Sequence, residues 1–190
     1  NKGTIFSGDD ILYTLASRNK MIDKAQSATV VGTTMSNQGV VEALDKLGIE
    51  FIRTNVGDKF ISRELVKNDL NLGAEPSGHV IQREFSESGD ANIALIQTLA
   101  ALQELDTNIA EIKNSIKYKP LSLKNFSVSN IEFIESEVFI ERIEKLKMNH
   151  PEARISVRKS GTNPIIRAMV EAETEKEKDL LLSEIENLIT

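Results

Sequence analysis

The sequence predicts an α/β fold: a mixed-sheet α/β domain followed by a smaller open α+β domain. Two observations carry that expectation. Short β-branched runs alternate with amphipathic helical stretches through the first 117 residues, as a mostly parallel sheet requires. At Lys117–Pro120 the pattern changes: an extended run, a helix, two strands around a polar turn and a closing helix follow. The expected domains are therefore 1–117 and 118–190.

Taken in order, Asp9 or Asp10 caps a helix over 11–17. A short buried strand spans 28–31, and the polar turn Gly32–Asn37 leads into a helix over 38–47, with Ser36 or Asn37 as its cap. Gly48 ends that helix, and 49–53 is the next strand. A helix over 60–67 follows Gly57 and Asp58, with Asp58 as its cap. Residues 71–74 form a strand that turns and returns at 80–81. Asp90 caps the clearest helix, 90–104, marked by Ile93, Leu95, Ile96, Leu99 and Leu102, and a shorter helix spans 109–115. Beyond the boundary, helix 138–147, strand 153–157, strand 165–171 and helix 175–188 complete the chain. His150, before Pro151 in a polar loop, reads as ordinary surface.

Composition bounds what these elements can do. Of 190 residues, 40% are hydrophobic, enough for a real core, and aromatics are only 5%, so that core is aliphatic. Basic residues number 23 against 29 acidic, a formal charge of -6, which disfavours a broad nucleic-acid surface but leaves room for a local Arg cluster. Absence of Cys excludes disulfides and thiolate metal sites. No apolar run approaches the roughly 20 residues that span a bilayer, and no signal peptide is visible. The expectation is a cytoplasmic protein without a membrane or nucleic-acid partner. The opening NKGTIF reads like the middle of a hairpin, as in a piece of a longer chain.

Two segments carry chemistry. Arg158-Lys159-Ser160-Gly161-Thr162-Asn163-Pro164, with Arg167 beyond it, lies between two expected strands. It offers hydroxyls, backbone donors and cations, and an Arg fork matches phosphate oxygens. A solvated hairpin loop is the alternative. Because only alternate strand residues share a face, Arg167 need not point where Arg158 does. The second segment is Gly73-Ala74-Glu75-Pro76-Ser77-Gly78-His79. A carboxylate and a hydroxyl in a fixed turn suit sugar hydroxyls, and His79 can bind or assist proton movement. A plain tight turn is the alternative, and one His with one Glu makes a poor metal site. Lys59, in Val56-Gly57-Asp58-Lys59-Phe60, is placed to reach an anion. No Walker loop and no GxGxxG after a strand are present, which disfavours a kinase or a dinucleotide fold.

These segments resemble the α-D-phosphohexomutases, and the likeness covers nearly the whole chain. GAEPSGH is similar to the GE-x-SGH sugar loop that ends the family's third domain, and RKSGTNPIIR to the R-x-SGT-x-P phosphate loop of its fourth. VVGTTMSNQG, FIRTNVGDKF, SGDDIL and SESGDA are similar to stretches of the phosphoglucosamine mutase branch. The sequence departs from the family pattern at Ala74, Pro76 and Ala91, at Asn163 in place of Glu, and at Lys59 in place of Arg.

The resemblance implies the C-terminal half of an enzyme that interconverts glucosamine 6-phosphate and glucosamine 1-phosphate. It would work through a phosphoserine and a bisphosphorylated sugar, glucosamine 1,6-bisphosphate. Glu75, Ser77, His79 and Lys59 would bind the sugar. Arg158, Ser160, Gly161, Thr162, Asn163 and Arg167 would bind the phosphate. Mg2+ and the phosphoserine would belong to N-terminal domains outside this piece, which alone would be inactive and holds no catalytic or metal residue. The implied partners are the phosphosugar, those N-terminal domains and, as one option, a second copy in a homodimer. A phosphomannomutase or phosphoglucomutase portion and a non-catalytic phosphosugar-binding or interaction module are the alternatives.

Overall fold

A computed structural model describes residues 3, 5–22, 28–128, 131–160 and 165–189. The chain divides into two compact units, Asn1–Tyr118 and Lys119–Thr190.

The first unit contains α1 (Gly8–Met21), β1 (Thr29–Thr33), α2 (Gln38–Lys46), β2 (Glu50–Thr54), α3 (Asp58–Lys67), β3 (Leu72–Ala74), β4 (Val80–Gln82), α4 (Ala91–Glu104) and α5 (Ile109–Ser115). Its sheet has the order β2-β1-β3-β4. β1 pairs parallel with both β2 and β3, and β4 turns back antiparallel to β3. One core cluster joins Leu12 and Leu15 of α1, Leu44 of α2, Ala101 of α4 and Ile112 of α5 to Val30, Leu72, Ala74 and Val80 of the sheet. Val31 and Ile81, the alternate strand positions, pack with Ile61 and Leu65 of α3. Strand residues alternate between faces, so α3 lies across the sheet from the other helices. This is the mixed α/β layer that the alternating pattern predicts.

Local chemistry explains the element ends. Asp90 caps α4, accepting from the N–H groups of Asn92 and Ile93, and Asn37 caps α2 through the Gly39 N–H. Two other caps differ from expectation. α1 begins at Gly8 and is capped by Ser7, with Asp10 returning a bond to the Ser7 N–H in a capping box. Asp9 instead accepts from the Asn37 N–H at 3.0 Å. Gly57, not Asp58, is the cap position of α3, and the Asp58 carboxylate accepts from the adjacent Lys59 N–H.

The second unit contains β5 (Leu121–Ser127), a 3-10 turn (Glu132–Glu135), α6 (Glu137–Asn149), β6 (Arg154–Lys159), β7 (Ile165–Glu171) and α7 (Glu175–Ile189). Its sheet is fully antiparallel in the order β5-β7-β6. Phe126, Ile166, Ala168, Val170 and Ile155 pack against Phe139, Ile143 and Leu146 of α6 and Leu181 and Ile185 of α7. The other face of the sheet therefore turns away from these helices. His150 is not plain surface: it is half-buried, with Nδ1 3.1 Å from Glu177 Oε1.

Candidate functional site

Glu75 follows β3, and a tight loop returns the chain into β4. The loop is closed by bonds from the Glu75 N–H to the His79 carbonyl (2.9 Å) and from the Gly78 N–H to the Glu75 carbonyl (3.0 Å). Gly78 adopts φ 103°, a region open to glycine at little steric cost. Glu75 is only 8% exposed, and its Oε1 accepts from the Gly57 N–H at 2.6 Å. The short distance fits a charge-assisted bond. Its Oε2 lies 3.4 Å from both Ser77 Oγ and His79 Nδ1, which are 3.3 Å from each other. The structure thus brings Glu75, Ser77 and His79 into one cluster and ties them to Gly57, the cap position of α3, whose first turn carries Lys59. Ser77 and His79 are exposed, the His79 side chain to 64%. Lys59 is exposed too, its ammonium 5.0 Å from the Phe60 ring centroid.

Gly8 escaped the sequence reading. Its N–H donates to the Pro76 carbonyl at 3.1 Å. A Cβ added there would lie 1.9 Å from the Glu75 carbonyl oxygen and 3.0 Å from the Gly78 nitrogen. The backbone of the Glu75–His79 loop therefore sits directly on the first turn of α1. That turn is itself anchored. Asp10, fully buried, accepts from Ser7, from Lys113 Nζ at 2.9 Å and from the Tyr118 hydroxyl at 2.8 Å. Burial, together with that bond to Asp10, raises the Tyr118 hydroxyl well above its usual value. Asp9, 3% exposed, is pushed up to about 6, chiefly by burial, and its Oδ1 has no hydrogen-bond partner among the described residues. The only sequence signal for this seat was a glycine directly after a capping serine.

In the second unit, Arg158 and Ser160 lie at the end of β6 and Arg167 on β7. Ser160 donates its N–H to the Ile165 carbonyl at 2.9 Å and closes the hairpin. Gly161, Thr162 and Asn163 lie outside the described residues. Arg158 is the direct register partner of Arg167. Opposed residues on antiparallel strands project from one face, so the two guanidinium groups share a face, a point the sequence left open. Arg158 is exposed, whereas Arg167 Nε is buried and has no hydrogen-bond partner among the described residues. Lys159 does not join them. It pairs with Ile166 on the helix-covered face, where its Nζ lies 2.5 Å from Glu132 and 2.8 Å from Glu135. Those carboxylates hold the Lys159 pKa above its ordinary value.

Among the described residues, no group of three His, Cys, Asp or Glu side chains could hold a metal ion. The donor set among the described residues does not fit magnesium.

Residues 7–118 match the family model for the phosphoglucomutase/phosphomannomutase alpha/beta/alpha domain III, and residues 96–188 match the model for its C-terminal domain. The chain belongs to the phosphoglucomutase/phosphomannomutase family. A phosphoglucosamine mutase of Hahella chejuensis is 36% identical over 191 residues, covering 100% of this chain and 43% of that protein. One from Oceanobacillus iheyensis is 33% identical, covering 99% and 43%. The chain thus spans well under half the length of these curated relatives. Among solved structures, an N-acetylglucosamine-phosphate mutase in its substrate complex superposes with a TM-score of 0.81 at 21% identity, covering 97% of this chain and 44% of that one. The Aspergillus fumigatus N-acetylphosphoglucosamine mutase with GlcNAc-6P and magnesium gives 0.80 at 18%, covering 100% and 45%. At these identities the likeness shows the fold. No helix among the described residues is long and apolar enough to cross a membrane.

Proposed function

We propose that this chain is the substrate-holding C-terminal part of a phosphoglucosamine mutase. The observation that carries the reading is the pairing of Arg158 with Arg167 on one sheet face beside the Ser160 hairpin. Two adjacent guanidinium groups concentrate positive charge where a phosphate can bridge them. The Glu75–Ser77–His79 cluster supplies hydroxyl-matching donors and acceptors for the sugar. Lys59 extends from the first turn of α3, whose cap position Gly57 is held by Glu75.

In the whole enzyme a phosphoserine would pass its phosphoryl group to the anomeric oxygen of glucosamine 6-phosphate, giving the 1,6-bisphosphate. The intermediate would turn over, and its 6-phosphoryl group would return to serine, leaving glucosamine 1-phosphate. The serine and the Mg2+ site would lie in the part of the enzyme that this chain does not span. This chain's residues would hold the sugar in both orientations while the phosphate not being transferred stays clamped, which is catalysis by positioning. A cytoplasmic setting and a homodimer accord with this reading.

Calorimetric titration with glucosamine, glucose and mannose 6-phosphates tests it. Tightest binding of the amino sugar supports the assignment. Equal affinity for all three removes the glucosamine specificity, and no binding removes the site.

A further inference from the structure

The clamp rests on two guanidinium groups, and the sheet puts a third polar side chain in line with them. β7 is the central strand, and Arg167 has a register partner on each side: Arg158 on β6 and Asn125 on β5. Directly opposed residues of antiparallel strands share a face, so Asn125, Arg167 and Arg158 form one row across all three strands. The adjacent row confirms the facing. Phe126 pairs with Ile166, and both are buried against the helices. Asn125 therefore projects from the other face, and it is exposed. With neighbouring strands about 4.8 Å apart, the row is about 10 Å wide with Arg167 at its centre.

We propose that Asn125 is a further phosphate-binding residue, its side-chain amide donating to an oxygen of the anion held by Arg158 and Arg167. The inference rests on the clamp reading above. Like charges directly opposed across a sheet destabilise each other, so the Arg158–Arg167 pair favours an anion over the row. Along these three strands, the only carboxylate on this face is Glu171, which is four residues from Arg167 and bonded to Arg154. Among the described residues of these strands, no other carboxylate stands on the face of the row. An amide beside two guanidinium groups adds N–H donors without adding a third charge to their repulsion. A carboxylate in its place would neutralise the clamp and repel the ligand.

The test is titration of this chain with inorganic phosphate and with glucosamine 6-phosphate, using Arg158→Ala as the reference variant. Asn125→Ala should weaken both ligands about fivefold, the size of one lost hydrogen bond. Asn125→Asp should weaken both at least tenfold, and Asn125→Gln, which keeps a donor, should recover part of the loss. Thermal midpoints should match the parent, because Asn125 is exposed. If Arg158→Ala weakens binding while Asn125→Ala and Asn125→Asp bind like the parent, this inference is overturned and the clamp stands. If Arg158→Ala also binds like the parent, or the parent binds neither ligand, the clamp reading fails and takes this inference with it.

Discussion

Glu75 and Arg167 are both charged residues placed by strands beside a candidate binding surface, yet the chain treats them differently. The Glu75 carboxylate accepts from the Gly57 N–H and sits within 3.4 Å of Ser77 and His79, and its loop rests on Gly8. Arg167 has a buried Nε without a partner among the described residues and faces a second Arg across the sheet. The Glu75 loop takes its shape from bonds the first unit makes with itself. In the second unit, the Arg pair is a concentration of charge set by strand register. Under the proposed reading, Glu75 would act first as a positioning residue, holding the exposed Ser77 and His79, whereas the Arg pair would touch ligand directly.

That contrast can be broken in several places. The largest expected effect is Gly8→Ala, which forces a methyl group into the Glu75 carbonyl. Overpacking of this kind costs about 1–3 kcal/mol and shifts backbone. Denaturant unfolding should show that loss. Calorimetry should show weaker sugar discrimination while inorganic phosphate binds as before, because the second unit is untouched.

Asp9 comes next and tests the same seat by pH. Its carboxyl is raised to about 6 in the fold from an ordinary value near 3.8. Between these values the folded state holds the proton more tightly than the unfolded chain, so this group's contribution to stability falls as pH rises from about 4 to about 6 and then levels off. Two units correspond to about 2–3 kcal/mol. Asp9→Asn should remove that component, so the stability difference between variant and parent should grow in the variant's favour across the window. A difference that stays flat from pH 4 to 8 contradicts the buried, charge-averse setting of Asp9.

Arg158→Ala should weaken any phosphosugar more than tenfold, or about 1.4 kcal/mol, with little change in stability, because Arg158 is exposed. Lys159→Ala should change phosphate affinity less than twofold, since Lys159 is committed to Glu132 and Glu135 across the sheet. A large loss on removing Lys159 would erase the distinction between the two faces.

Features encoded by neighbours in sequence were legible. The α4 helix and its Asp90 cap, the α2 cap at Asn37 and the strand–helix alternation all depend on local residues, and all are present. Features set by distant contacts were not. Asp9 and Asp10 looked like caps because carboxylates often are, but the cap is Ser7, and the two carboxylates turn to Asn37, Lys113 and Tyr118. Gly8 could not be read as the seat of the Glu75–His79 loop until β3 and β4 were placed beside α1. The shared face of Arg158 and Arg167 depends on hairpin register, which the spacing of the two residues alone leaves undecided. The partners of Lys159 come from a 3-10 turn that the alternation pattern does not announce.

The most direct test of the central claim is a chemical-shift titration of this chain with glucosamine 6-phosphate beside inorganic phosphate. The sugar phosphate should move signals at both Glu75–His79 and Arg158–Arg167, whereas inorganic phosphate should move only the Arg158–Arg167 region and Asn125. Shifts from inorganic phosphate centred on Glu75–His79, or a sugar phosphate that leaves that loop unmoved, would contradict the division of labour between the two loops.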